Sequence, residues 1–230
     1  MENRAGAFVS QSQGYKTFIP KKLPPQPPFQ YSDEMQKLLS AADRRIGRLD
    51  GVAHTLPNPA LFVAMYVKKE ALLSSQIEGT QASFIDVLNA DEEPSNENVE
   101  EVVNYIAAMN HGLNRLKEFP ISLRLIREIH GKLLQHGRGS RRMPGEFRTS
   151  QNWIGAAGST LNTAAFVPPS VPDMMRALGE LELFMHADDT IPPLVKIGLI
   201  HAQFETIHPF LDGNGRMGRL LITFWLCQQE

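Results

Sequence analysis

Apolar side chains recur every three or four positions over most of the chain, the period at which a helix turns one face inward. Met35, Leu38, Leu39, Ala42, Ile46 and Leu49 mark a first helix from Ser32 to about Asp50, with that stripe as its buried face. Asn58 and Pro59 supply an N-cap and a first-turn proline, and Phe62, Met65, Ala71 and Leu72 carry a second helix toward Gly79. Phe84, Ile85 and Leu88 indicate a short third. A fourth follows Val99, Val102, Ile106, Met109, Leu113 and Leu116, and a fifth opens on Ser122 and runs through Leu125, Ile126, Ile129 and Leu133. The period breaks between Gly137 and Pro172, where Trp153-Ile154-Gly155 and Ala165-Phe166-Val167 read as the two short strands of a hairpin. Helices resume from Pro172 to about His186, from Pro193 to Ile207, and over the apolar segment Leu220 to Cys227. An all-α fold with a short β-hairpin is expected.

Ahead of the first helix, five prolines between Pro20 and Pro28 fix backbone angles and remove amide donors, which predicts an extended, polyproline-like arm over residues 1–31. Residues 32–95 then form an N-terminal helical region and residues 96–230 a second one holding the broken stretch.

Composition narrows the function classes. A chain of 230 residues with 42% hydrophobic content needs no covalent staples. Its one cysteine, Cys227, cannot form an internal bridge or a thiolate metal cluster, and its apolar surroundings predict a buried thiol. With 23 Lys+Arg against 25 Asp+Glu, nothing points to nucleic acid. No apolar run reaches the ~18 residues of a membrane span, and Met1-Glu2-Asn3-Arg4 does not open a signal peptide. A cytoplasmic protein with no membrane partner is expected.

Chemistry concentrates in the twelve residues His208-Pro209-Phe210-Leu211-Asp212-Gly213-Asn214-Gly215-Arg216-Met217-Gly218-Arg219. Pro209 pushes His208 out of the helical region, so the preceding helix ends there and leaves an imidazole at a helix-to-loop junction. Gly213, Asn214 and Gly215 tolerate positive φ and let backbone N–H groups converge at the start of the next helix, an anion site by geometry and dipole. Arg216 and Arg219, three apart, put two cations near the positive end of that helix, which is unfavourable unless an anion joins them. Asp212 suits a Mg²⁺ ion bridging phosphate oxygens, and His208 suits a general base at neutral pH. Taken singly, each is more ordinary: a helix-end histidine, a turn, a solvated face.

Taken together, the twelve residues resemble the signature of the Fic (Fic/Doc) family, His-x-Phe-x-(Asp/Glu)-Gly-Asn-Gly-Arg-x-x-Arg, with every defining position present. The resemblance implies a largely helical protein adenylyltransferase that moves AMP from ATP to a Ser, Thr or Tyr hydroxyl of a target protein. His208 would be the catalytic base and Asp212 the Mg²⁺ ligand. Gly213, Asn214, Gly215, Arg216, Met217, Gly218 and Arg219 would line the triphosphate, and Phe210 would anchor the loop. Ser74-Ser75-Gln76-Ile77-Glu78-Gly79 is similar to the family's inhibitory motif, (Ser/Thr)-x-x-x-Glu-(Gly/Asn), in the class whose inhibitory helix, here about residues 58–79, lies N-terminal to the catalytic loop. Ser74 and Glu78 would then share a helix face, Gly79 would cap it, and Glu78 paired to Arg219 would take the place of a γ-phosphate contact. The hairpin resembles the family's target-holding flap, with Trp153, Ile154, Ala165 and Phe166 against the target backbone. Relatives continue past the equivalent of Glu230, so a chain truncated at its C-terminus is expected, short of residues that close the adenine pocket.

Two further functions compete. Phosphoryl transfer of the Doc type is disfavoured because Gly215 and Arg219 keep the adenylylating form of the signature. A nucleotide-sensing regulator without turnover would be expected to lose its base or metal ligand, and both remain. No Gly-Lys-(Ser/Thr) follows the glycines and no His-Glu-x-x-His occurs, which removes a P-loop NTPase and a zinc protease. The same glutamate could orient a water that removes AMP from a modified target. Self-modification and a homodimer stand as alternative uses of a second copy of the chain.

Overall fold

The computed structural model describes residues 4–90 and 96–229; the boundary drawn at residue 95, the stretch Met1 to Asn3 and the helix end at Glu230 lie outside the described residues. The elements run β1 (Gly6–Ser10), β2 (Lys16–Pro20), α1 (Asp33–Ala53), α2 (Pro59–Ile77), α3 (Phe84–Leu88), α4 (Glu97–Leu116), α5 (Leu123–Leu133), α6 (Val171–His186), α7 (Pro193–Ile207) and α8 (Asn214–Cys227). Polar residues set the starts: Ser32, Asn58, Ser83, Asn96, Ser122 and Ser170 each place a side-chain oxygen on an amide of the following turn. Among the described residues no helix is long and apolar enough to cross a membrane.

The core forms where α4 packs on α5 and α2, α7 packs on α8 and α6, and α8 closes against α4 and α5. Tyr105, Ile126, Ile129, Leu133, Ile200, Phe204, Leu220, Leu221 and Phe224 are all buried there. Each full burial of a large apolar side chain contributes roughly 1.5–3 kcal/mol, so the α4–α5–α7–α8 body is the rigid part on which the loop after α7 stands.

Four features depart from the sequence reading. The stripe on α1 is not buried: Leu38 and Leu49 are 65% and 70% exposed, and only Met35, Leu39 and Ala42 are partly covered, across an open groove from Leu194, Val195 and Leu199 of α7. Periodicity identifies an apolar face without showing whether another element reaches it. Cys227 is exposed, because the inward face of α8 is taken by Met217, Leu220, Leu221 and Phe224.

The N-terminal arm is not wholly polyproline-like. β1 and β2 pair antiparallel from Gly6↔Pro20 to Ser10↔Lys16, with Phe8 edge-on to Phe18 at 5.1 Å. The proline-rich stretch then lies on α7, where Gln203 Nε2 donates to the Lys21 carbonyl at 2.9 Å. Finally, the stretch between α5 and α6 folds back with one antiparallel bridge, Ile154↔Phe166, in place of a full ladder. Pro168 and Pro169 have no amide to extend it, and the Val167 carbonyl is already taken by the amide of Phe18 in β2, at 2.9 Å. Among the described residues the two-stranded sheet is therefore the N-terminal one, and β2 braces this folded-back stretch.

Candidate active site

The loop between α7 and α8 is held from inside. α7 ends at Ile207, and His208 caps it in the left-handed region at φ 50°, ψ 61°. Phe210 is fully buried, its ring stacked on the His130 imidazole of α5 at 3.6 Å and 4°. Asn214 closes the loop on itself: Oδ1 accepts from the Phe210 amide and Nδ2 donates to the Phe210 carbonyl, both at 2.8 Å. His130 Nδ1 accepts from the Gly145 amide at 2.9 Å, so Nε2 carries the proton it donates to the Asp212 carbonyl, also at 2.9 Å. Burial pushes the His130 pKa down to about 4, which keeps the ring neutral and that hydrogen-bond pattern in place.

Gly213, at φ 75°, turns the chain into α8 in a left-handed conformation, and a Cβ there would press on the His130 ring at 3.3 Å. The first amides of that helix lack intrahelical acceptors and could receive an anion. Arg216 lies in the same turn. It is only 3% exposed, its Nε has no hydrogen-bond partner, and its nearest carboxylates are Asp212 at 3.7 Å and Glu101 of α4 at 4.0 Å. A buried guanidinium so poorly satisfied is costly unless a further anion completes it. Asp212 Oδ1 accepts from the Gly213 amide at 2.6 Å, and the side chain is half-buried. Among the described residues no group of three or more His, Cys, Asp or Glu side chains could hold a metal ion. A single carboxylate is nonetheless what Mg²⁺ commonly takes from protein, the remaining ligands being phosphate and water.

Arg219 faces elsewhere. Its Nε donates to Ser74 Oγ at 2.7 Å, and its Nη2 donates to the Ser74 carbonyl at 3.0 Å and to Glu78 Oε1 at 2.6 Å. Glu78 caps the C-terminus of α2, and Gly79 follows at φ 93°. The carboxylate lies so close to the first turn of α8 that a Cβ on Gly215 would stand 2.3 Å from Glu78 Oε1. A side chain at 215 would therefore have to displace the Glu78 carboxylate from its place beside α8.

Thr80, just past that cap, donates to buried Glu101 at 2.5 Å, and Glu101 is also the carboxylate nearest Arg216 Nη1. The end of α2 is therefore joined to the start of α8 directly, through Ser74, Glu78 and Arg219, and the turn after it indirectly, through Glu101 of α4.

Sequence-predicted residues sort accordingly. His208, Asp212, Gly213, Gly215, Arg216, Arg219, Ser74, Glu78 and Gly79 come together around the start of α8. The Met217 side chain is wholly within the hydrophobic core and Gly218 abuts Glu205 of α7, because the helical turn swings both inward, which leaves their backbone alone for any ligand. The side chain of Asn214 is spent on Phe210, leaving its backbone for any ligand. Trp153 and Ile154 are 43% and 40% exposed, Ala165 is exposed, and Phe166 leans on Phe18 with ring centres 5.8 Å apart.

His208 itself is half-buried, and its Nδ1 has no well-formed hydrogen bond. Its pKa is lowered, chiefly by burial and further by the charge of Arg148, with the Glu205 carbonyl, Glu78 and Asp212 acting the other way. The His208 carbonyl accepts from Arg148 Nε at 3.0 Å and Asn152 Nδ2 at 3.2 Å. Arg148, His130 and Glu101 carry no local motif, whereas Asn152 lies in Gln151-Asn152-Trp153-Ile154-Gly155, the stretch that resembles the family's flap, and His130 lies on the face of α5 shared with Ile126, Ile129 and Leu133.

Fold and site together define a class: a helical domain in which a histidine-bearing loop opens onto a helix N-terminus, closed by a carboxylate from a neighbouring helix. The chain belongs to the Fic/DOC family. The Fic/DOC N-terminal model matches residues 36–114 and the Fic/DOC model residues 120–226. Over 115 residues, 49% of this chain, it is 30% identical to the protein adenylyltransferase Fic of Drosophila yakuba and 29% identical to that of Drosophila melanogaster. The match spans 21% of each of those proteins, about a fifth of their length. The fold resembles a Fic family protein from Desulfovibrio desulfuricans, TM-score 0.68 at 21% identity over 89% of this chain and 61% of that one. It also resembles Fic-1 from C. elegans, TM-score 0.62 at 24% identity over 85% and 60% of the two chains.

Proposed function

We propose that this protein transfers AMP from ATP to a Ser, Thr or Tyr hydroxyl of a target protein, and that the α2 end holds it inactive. The observation that carries the reading is Arg216, a 97%-buried cation (3% exposed) with an unpartnered Nε at the N-terminus of α8, one loop from His208. Relatives that share this half of the chain carry the name protein adenylyltransferase. The phosphates of ATP would lie on the first amides of α8 and on Arg216, with Asp212 holding Mg²⁺. When bound, the metal would neutralise charge on the leaving pyrophosphate. His208, neutral at pH 7 because its pKa is depressed, accepts the proton of the attacking hydroxyl. The hydroxyl oxygen bonds to the α-phosphorus, the bond from that phosphorus to the bridging oxygen breaks, and pyrophosphate departs. The target segment would pair along Trp153-Ile154-Gly155, the flap edge opposite the one braced by β2.

In the resting arrangement Glu78 sets a negative charge beside Gly215 and occupies Arg219, both against a terminal phosphate. Self-labelling is the simplest reaction to look for, since a second copy of the chain can serve as target. The same carboxylate, near His208, would orient water for removal of AMP from a modified target; that use fails if Glu78→Gln releases the label as fast as the parent. The proposal as a whole is tested by AMP incorporation from ATP in Glu78→Gly, with and without His208→Ala. Incorporation that survives loss of His208 would overturn it.

A further inference from the structure

Among the described residues Arg148 is one of the largest fully buried side chains, 1% exposed, and no carboxylate pairs with it. Its charge is met by backbone carbonyls. Nε donates to His208 O at 3.0 Å, Nη1 to Ser150 O at 3.2 Å and Nη2 to Pro169 O at 2.6 Å, while its own amide donates to Pro209 O at 2.9 Å. Burial without an anion pushes its pKa down to about 10, still charged at neutral pH.

The three carbonyls come from three segments. His208 is the end of α7, Ser150 is the ascending stem of the flap and Pro169 its descending stem. A planar guanidinium is the one side chain that presents donors in a fixed fork to three such acceptors at once; a lysine ammonium has the charge without the plane. His208 adopts a left-handed conformation that non-glycine residues avoid, and Pro209 after it has no amide for a local turn. Asn152 Nδ2, from the same stem, adds a second donor to His208 O and one to Phe210 O at 3.0 Å. The flap itself has one bridge between its strands and is braced from outside by β2, and Arg148 and Asn152 are side chains that tie it to the loop.

We propose that Arg148 is a positioning residue that locks the two stems of the flap to the backbone of His208, fixing the distance between the target segment and the base. What that lock achieves rests on the transfer reaction proposed above; the lock itself does not. Reaction rates fall steeply with small misplacements of reacting groups, so the effect belongs in turnover and not in nucleotide binding.

The test uses the full chain carrying Glu78→Gly, alone and with Arg148→Met or Arg148→Lys, the latter keeping the charge should the former not fold. Amide hydrogen exchange is read over 148–155, 166–170 and 208–213, self-labelling is followed with α-labelled ATP, and nucleotide affinity is titrated with a fluorescent ATP analogue. Both variants are expected to lose protection in all three segments together while α4 and α5 keep theirs. Self-labelling should fall at least about tenfold at saturating ATP, with analogue affinity within about threefold. Arg148→Lys should not restore the rate. Independent exchange of flap and loop, an analogue affinity that falls as far as the rate, or full rescue by lysine would each overturn the inference. Absence of labelling in the Glu78→Gly parent would instead refute the transfer reaction, and exchange would still decide the lock.

Discussion

Replacing Glu78 by glycine removes one of three contacts that hold the Arg219 guanidinium. The lost contact is a charge-assisted hydrogen bond of 2.6 Å between side chains 36% and 20% exposed. Hydrogen bonds to charged groups contribute about 1.5–3 kcal/mol when sheltered, and solvent-exposed ion pairs about 0–1, so a half-sheltered pair is worth about 1–1.5 kcal/mol. That corresponds to a roughly five- to tenfold shift toward a released arginine. Removing the carboxylate also clears the space above Gly215 and a negative charge that would face phosphate, so AMP incorporation should rise by at least about tenfold.

Ser74 still holds Arg219 through two hydrogen bonds, which puts a ceiling on the release. Ser74→Ala combined with Glu78→Gly should therefore exceed Glu78→Gly alone, and Glu78→Gln, which keeps the volume and an acceptor, should fall between parent and glycine. The assay is incorporation of α-labelled AMP under identical Mg²⁺ and ATP in the parent, Glu78→Gly, and Glu78→Gly with Arg219→Ala. Equal incorporation in parent and Glu78→Gly would refute the brake, and an undiminished double variant would remove Arg219 as its partner.

His208→Ala in the released background should cut turnover by about 10²–10⁴-fold while leaving analogue binding nearly intact, read by initial rates and titration. The acid limb of the pH–rate profile should have its midpoint below the ordinary histidine value of about 6.5, since the folded site lowers the His208 pKa; a midpoint above it would contradict the burial argument. Asp212→Ala should raise the Mg²⁺ needed for half-maximal rate, and turnover indifferent to chelator would remove the metal role. His130 takes up its proton less readily folded than unfolded, so its contribution to stability is complete above pH ~6.5 and is lost as pH falls toward about 4, a change of about 3 kcal/mol. Denaturation midpoints across that window should flatten in His130→Phe, which keeps the stack on Phe210 without a titrating group.

The parts of the site that sequence made legible are those that act within one local segment. His208 to Arg216 place a helix end, a positive-φ turn and a helix start in contiguous order, and chain stereochemistry alone predicts them. The helices were legible for a similar reason, since serine and asparagine caps mark their starts and apolar spacing marks their faces.

Burial and most distant partners were not legible, the Glu78–Arg219 pair being the exception, reached through the resemblance of residues 74–79 to an inhibitory motif. Arg148 reads as an ordinary arginine until folding brings His208 O and Pro169 O to it, and Glu101 reads as a solvated helix residue until Thr80 and Arg216 close on it. Arg216 and Arg219 look like neighbours on one surface, yet one is sunk beside Glu101 and the other reaches across to α2. The β1–β2 hairpin escaped notice because its strands are short, its turn lacks an Asn-Gly or Asp-Gly pair, and the prolines that follow dominate the local signal. The α1 stripe misled in the opposite sense, an apolar face that the rest of the chain leaves uncovered.

The central claim, adenylyl transfer, is most directly tested by incubating the Glu78→Gly chain with Mg²⁺ and ATP labelled at the α-phosphorus in one reaction and at the γ-phosphorus in another. The account predicts that protein-bound label appears from the α position only, and that it disappears with His208→Ala. Label transferred from the γ position would contradict it and assign phosphoryl transfer to the same loop.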